Sequence, residues 1–304
     1  MTWKSNANPM FRSKFSEDIF KQKYQHERAE TWTELCETLV HDVVPARFAY
    51  ERDALIRYMA DLKFIPGGRY LYYAGRKNKF FNNCFLLKAE EDSREDWANL
   101  SWKSELSLSS GGGIGVDYSI YRPRGSILHG TGGVASGPLA KMQMINELGR
   151  CIMQGGSRRS AIYASLNWKH NDVEAFMRMK DWHTMPVSGT DKTIGDLKEA
   201  DFNYKAPMDM TNISVNYDTE WLEGYWSTGN VGEVFKQNVR QALSTGEPGF
   251  SFNFWDKENE TLRNACTEVT SEDDSDVCNL GSINMGRIDS LAEYKEIVSL
   301  GTLF

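Results

Sequence analysis

The chain has 304 residues, 40% hydrophobic and 12% aromatic, enough for a sizeable core and about two domains by length. Its 35 basic and 42 acidic side chains give a net charge of −7 with no long block of one sign, which argues against polymeric nucleic acid, a partner that needs a basic face. No apolar run approaches the ~20 residues that cross a bilayer, and the opening Met1-Thr2-Trp3-Lys4-Ser5-Asn6 lacks the pattern of a secretory leader, so no membrane partner and a cytoplasmic location are expected.

Residues 1–62 read as an N-terminal helical region. Thr31-Trp32-Thr33-Glu34 is a capping box, and Trp32, Leu35, Leu39 and Val43 follow at helical spacing. Leu55, Tyr58, Met59 and Leu62 form a second such face, ending near Pro66-Gly67-Gly68. From residue 63 to 304 strands and helices alternate. Strands are expected over Phe81–Leu87, from Val116, over Ala161–Leu166, at Ile213-Ser214-Val215 and at Phe250-Ser251-Phe252. The intervening helices start near Ser93, at Gly137-Pro138 and after an Asn171 cap, with another over about Val231–Leu243. Such alternation implies βαβ units around a mostly parallel sheet. The segment Ser290–Phe304 is apolar and helical, and the sequence predicts that it needs a covering surface from a further part of the protein.

The five cysteines, Cys36, Cys84, Cys151, Cys266 and Cys278, are odd in number and lack CxxC spacing, which favours free thiols. Cys36 and Cys151 lie in apolar helical stripes and read as core packing. Asn264-Ala265-Cys266-Thr267-Glu268 is followed by Cys278-Asn279-Leu280-Gly281-Ser282-Ile283-Asn284. On an extended loop Asn264, Cys266 and Glu268 would share one side and converge on a ligand. Zinc is not expected, because His26, His41, His129, His170 and His183 are scattered.

These two segments resemble the finger loop and following strand of the ribonucleotide reductase family, N-x-C-x-E and C-N-L-G-S-I-N. Asn83-Cys84-Phe85 is similar to that family's early-strand cysteine, and the resemblance continues through Ser110-Gly111-Gly112-Gly113-Ile114-Gly115, Arg122-Pro123-Arg124-Gly125, Gly130–Pro138, Gln154–Ala161 and Gly246-Glu247-Pro248-Gly249. It covers about residues 60–290. The implied fold is α/β: the helical region, then the first half of a ten-stranded α/β barrel with a central finger loop and the start of the second half-barrel. The implied chemistry makes Cys266 a thiyl radical that takes the ribose 3′-hydrogen, with Glu268 as general base and Asn264 holding substrate hydroxyls. Cys84 and Cys278 would be the reducing pair, reopened after turnover by thiol exchange.

The resemblance also implies substrate contacts at Asn83, Ser110, Gly111, Gly112 and Gly113. Effector contacts, to deoxynucleotides or ATP, are implied at Asp92, Ser93, Arg122, Arg124, Gln154, Gly155, Gly156, Arg158 and Arg159. It further implies a complementary C-terminal half chain, without which this part is inactive, and a thioredoxin- or glutaredoxin-type reductant. A homodimer through helices near residues 93–108 and 138–152 is expected as well. Residues 111–138 and 154–161 look most like the adenosylcobalamin-dependent class, with no metal bound by this half. The alternatives are the large subunit of a metal-dependent reductase and a non-catalytic deoxynucleotide-binding module. A glycyl-radical enzyme fits less well, because two further cysteines flank the finger.

Overall fold

The computed structural model describes residue 11 and residues 13–152 and 160–304. Gln154, Gly155, Gly156, Arg158 and Arg159 therefore lie outside the described residues. The chain divides into two compact units, residues 1–83 with 279–304, and residues 84–278, rather than at the expected 62/63 boundary.

The first unit is mainly helical: α1 (Lys14–Ile19), α2 (Trp32–Val43), α3 (Ala49–Ala60), strand β1 (Phe64–Pro66) and α4 (Gly68–Tyr73). The capping box forms as read, Thr31 Oγ1 accepting from the Glu34 N–H at 3.2 Å while Glu34 accepts from the Thr31 N–H at 3.0 Å.

The second unit is an α/β sheet. Its strands and helices follow in the order β2 (Cys84–Leu87), α5 (Arg94–Ser109), β3 (Gly113–Asp117), α6 (Pro138–Cys151), β4 (Ile162–Asn167), α7 (Val173–Met177), α8 (Ile194–Ala200), β5 (Thr211–Tyr217), α9 (Thr219–Thr228), α10 (Glu233–Thr245) and β6 (Gly249–Phe252). Strands β2 to β6 are parallel neighbours in sequence order. After β6 come the two-residue strands β7 (Leu262–Arg263) and β8 (Thr270–Ser271), then β9 (Asp276–Cys278), which pairs antiparallel with β2. The expected Asn171 cap is not used: Asp172 occupies the N-cap of α7 and makes no side-chain capping bond.

Helices cover one face of the sheet. Ile114, Val116, Ile162, Ala164, Leu166, Ile213 and Val215 point to that side and pack with Leu100 and Leu108 of α5, Met142 and Ile145 of α6 and Phe176 of α7. Because side chains alternate along a strand, the other face receives Cys84, Gly113, Gly115, Asp117, Tyr163, Ser165, Ser214, Asn216 and Ser251. Apart from Leu86 and Tyr163 that face is small and polar, and it carries the candidate site.

The chain then returns to the first unit through β10 (Gly281–Ile283), antiparallel to β1, and α11 (Leu291–Gly301). The apolar end of the chain is covered in part here, while Leu291 and Val298 of the expected stripe stay exposed. Ile297 and Leu300 are buried with Leu55, Met59 and Phe64, and the Tyr70 hydroxyl donates to the Phe304 carbonyl at 2.6 Å. Lys63 ties the entry of α11 to the unit by ion pairs to Asp289 at 2.9 Å and Glu293 at 2.5 Å.

Candidate active site

Cys84 opens β2 and Cys278 closes β9, and the antiparallel register places them directly opposite one another. Opposed residues in an antiparallel pair have Cα atoms ~4.5–5.5 Å apart, within the ~4.4–6.8 Å that a disulfide spans. Both are free thiols, buried with 6% and 4% exposure.

Over them lies the loop between β7 and β8, which pair antiparallel at Leu262↔Ser271 and Arg263↔Thr270. Glycines on β3 admit it. A Cβ on Gly115 would lie 1.7 Å from the Arg263 carbonyl oxygen, and one on Gly113 would lie 2.9 Å from Ala265 Cβ and 3.2 Å from Cys84 Sγ. Arg263 fastens the base of the loop to β6, donating from Nε to Ser251 Oγ at 2.8 Å and from Nη2 to Asn253 Oδ1 at 2.9 Å.

The loop tip departs from the expected extended geometry. The Thr267 N–H bonds back to the Asn264 carbonyl at 3.0 Å, and Thr267 takes a positive φ of 74°. This turn breaks the alternation that would have put Asn264, Cys266 and Glu268 on one side. Asn264 is buried, its Nδ2 directed to Cys278 Sγ at 3.6 Å and its Oδ1 accepting from the Val269 N–H at 3.1 Å. Cys266 and Glu268 are exposed instead.

The five groups still form one electrostatic cluster. Burial first, then the negative charges available to Cys84, Glu268 and Cys266, push the Cys278 thiol up to about 11, with the Asn264 hydrogen bond opposing. Burial and the neighbouring Cys266 likewise raise Cys84, opposed by the N–H groups of Ala265 and Gly113. The arrangement therefore holds two buried, protonated thiols beside one solvent-open thiol and one carboxylate.

The remaining predicted residues fall in other places. Ser110 donates to the Ser107 carbonyl at 2.7 Å, Gly111 has a φ of 93°, and a Cβ on Gly112 would meet the Phe85 ring at 2.5 Å. Asn83 belongs to the first unit, where it is buried beside Gly67. Asp92 and Arg122 come together, with Arg122 Nε to Asp92 Oδ2 at 2.5 Å. Ser93 caps α5 by accepting from the Asp96 N–H at 3.1 Å, and the Arg124 backbone N–H donates to Asp172 at 2.9 Å. Cys151 is exposed at the end of α6, a correction to the core reading. It lies two residues, about 200°, past the buried Gly149 on that helix. Cys36 is fully buried as expected.

Sequence reasoning missed Arg263, Ser251, Asn253, Asn216 and Asp117. The signal was present in the alternation of Gly113-Ile114-Gly115-Val116-Asp117, Asn212-Ile213-Ser214-Val215-Asn216 and Gly249-Phe250-Ser251-Phe252-Asn253, where every second residue is small or polar.

The chain is similar in sequence and in fold to known proteins. A vitamin B12-dependent ribonucleoside-diphosphate reductase of Thermoplasma acidophilum is 31% identical over 236 residues, covering 75% of this chain and 30% of that protein. A ribonucleoside-diphosphate reductase subunit alpha of Chlamydia muridarum is 24% identical over 263 residues, covering 75% of this chain and 25% of that protein. In fold, the class Id ribonucleotide reductase alpha subunit of Actinobacillus ureae superposes with a TM-score of 0.68 at 19% identity, covering 91% of this chain and 50% of that one. The chain thus spans half or less of the length of these relatives. Residues 82–304 match the family described as ribonucleotide reductase, barrel domain, and the chain belongs to that family.

Proposed function

We propose that this chain is the part of a ribonucleotide reductase that carries the radical thiol and the reducing pair, built as the first half of a ten-stranded barrel. The observation that carries the reading is the opposed register of Cys84 and Cys278 beneath a loop that presents Cys266 to solvent. A Cys266 thiyl would remove the 3′-hydrogen of a ribonucleotide and become a thiol. Glu268 would take the 3′-hydroxyl proton as the 2′-hydroxyl leaves with a proton as water. The buried thiols of Cys84 and Cys278 would give that proton to the departing hydroxyl and a hydrogen to C2′, supplying two electrons and closing into a disulfide, after which Glu268 returns its proton to the 3′-oxygen and Cys266 its hydrogen to C3′. Asn264 would give up its 3.6 Å contact with Cys278 Sγ to hold a substrate hydroxyl.

An external thioredoxin- or glutaredoxin-type dithiol would reopen the disulfide by exchange. Asp92, Arg122 and Arg124 would meet an effector nucleotide, as would Gln154, Gly155, Gly156, Arg158 and Arg159, with Ser93 fixing the start of α5. Asn83 and residues 110–113 would meet the substrate. A homodimer through α5 and α6 is supported by Trp102, Leu106 and Met144, large apolar side chains left exposed on these helices.

Two radical sources have support. The B12-dependent relatives favour adenosylcobalamin, and the alpha-subunit relatives and the class Id fold match favour the large subunit of a metal-dependent enzyme. The exposed sulfur of Cys266 is open to either, whereas the buried Cys84 and Cys278 are open to neither. Adenosylcobalamin would supply the unpaired electron that Cys266 carries.

The test is an anaerobic assay of the complete enzyme containing this segment, with a ribonucleotide, a dithiol and either adenosylcobalamin or a metalloprotein subunit. Deoxynucleotide formation that Cys266→Ala abolishes is expected, and the addition that starts turnover identifies the radical source. Undiminished turnover in Cys266→Ala would overturn the assignment. Deoxynucleotide binding without turnover under any condition would favour a non-catalytic module.

A further inference from the structure

The thiol cluster sits at the amino ends of β2 and β3. At the opposite ends of the parallel strands, on the same polar face, lies a second space that the chemistry above does not use. A cavity of about 410 Å³ is lined by Asp117 of β3, Asn167 of β4, Asn216 of β5 and Asn253 just past β6. Carboxyl ends of strands are where open α/β sheets hold their ligands. The volume far exceeds the ~30 Å³ share of one water and falls in the range of small-molecule sites.

The lining is built, and one of its groups is left wanting. Asp117 Oδ1 accepts from the Ser119 N–H at 3.0 Å and the Ser119 hydroxyl at 2.5 Å. Asn216 donates from Nδ2 to Ser165 Oγ at 3.1 Å, and the Arg263 guanidinium takes the Asn253 Oδ1. Asn216 is only 2% exposed, yet its Oδ1 has no hydrogen-bond partner among the described residues. A buried acceptor without a donor costs about 1–3 kcal/mol, so the group that fits here is a donor.

Charge narrows the class. Asp218, Glu220 and Glu258 line the cavity with Asp117, whose carboxyl burial pushes up, against a single cation, Lys169, whose Nζ already sits 3.2 Å from Asp218 and 2.5 Å from Glu220. A phosphate would be repelled. A bare metal ion is disfavoured too, because no group of three or more His, Cys, Asp or Glu side chains among the described residues could hold one. An ammonium group satisfies both demands: it donates several hydrogen bonds and carries positive charge into an acidic space.

We propose that this cavity binds a small organic cation bearing primary ammonium groups, such as a linear diamine, with one ammonium on Asn216 Oδ1 and Asp117 and the other toward Glu220 and Glu258. The site is separate from the thiols and does not depend on the reading of their chemistry.

The experiment is calorimetric titration of the complete protein containing this segment with 1,4-diaminobutane at fixed ionic strength, with 1,4-butanediol and Mg²⁺ as comparisons. Saturable one-site binding is expected, weakened about tenfold by Asn216→Leu through loss of a charge-assisted hydrogen bond, and weakened also by the exposed Glu258→Gln. The diol should not bind and Mg²⁺ should not displace the diamine. Circular dichroism checks the fold of Asn216→Leu, and if that variant is unfolded, Glu258→Gln decides. The proposal is overturned by absence of saturable binding to the unaltered complete protein. Affinity unchanged in the folded variants would overturn it as well, as would full displacement by Mg²⁺.

Discussion

Cys84, Cys266 and Cys278 differ in what can reach them. Cys278 is pushed up to about 11 by burial, so at pH 8 it stays a protonated thiol. Iodoacetamide at pH 8 should therefore modify the exposed Cys266 and Cys151 first and leave Cys36, Cys84 and Cys278 as thiols, read by peptide mass mapping. Equal labelling of Cys278 and Cys266 would contradict the burial that defines the cluster. Asn264 was legible as a site residue from its spacing to Cys266, but its orientation was not. A turn set by one backbone hydrogen bond and the positive φ of Thr267 reverses the direction that alternation implies.

At the scale of elements, the loop between β7 and β8 has almost no secondary structure of its own and is held by what it lies on. Arg263→Ala removes the bonds to Ser251 and Asn253. It should lower stability by about 1–3 kcal/mol and speed alkylation of Cys84, measured by denaturant unfolding and mass mapping, with Arg263→Lys restoring part of both. Gly115→Ala should cost more, because its Cβ would meet backbone and not a side chain that can swing away.

A second element effect lies between α5 and α6. Lys141 is fully buried, bonded to the Trp97 carbonyl and Ser101 Oγ, and burial lowers its pKa to about 8. The folded state then holds fewer protons than the unfolded chain between pH 8 and 10.5, so this residue's contribution to stability rises with pH across that window. Lys141→Met should raise the thermal midpoint at pH 7 and shrink that pH dependence.

The sequence announced elements whose signals are local, such as the Thr31 capping box and Pro138 at the start of α6. It did not announce α9, or the pairing of Cys278 with Cys84, since register between distant segments is a property of the closed sheet and not of either segment. The polar face was written in the alternation along β3, β5 and β6. It reads as a weak strand pattern until the loop that lies on it is known.

In the whole molecule each unit has its own core, and the family match from residue 82 to 304 runs through the sheet unit and on into β10 and α11 of the helical one. Among the described residues no helix is long and apolar enough to cross a membrane. The chemistry proposed above depends on one whole-molecule property: strand pairing must bring Cys84 and Cys278 within bonding reach while Cys266 stays outside the pair. The most direct test is a single turnover of the complete, pre-reduced enzyme without external dithiol, quenched and mapped by mass spectrometry. The account predicts about one deoxynucleotide per active site, by two-electron stoichiometry, with Cys84 and Cys278 joined and Cys266 free. Product formed while Cys84 and Cys278 remain reduced, or with Cys266 in the disulfide, would contradict it.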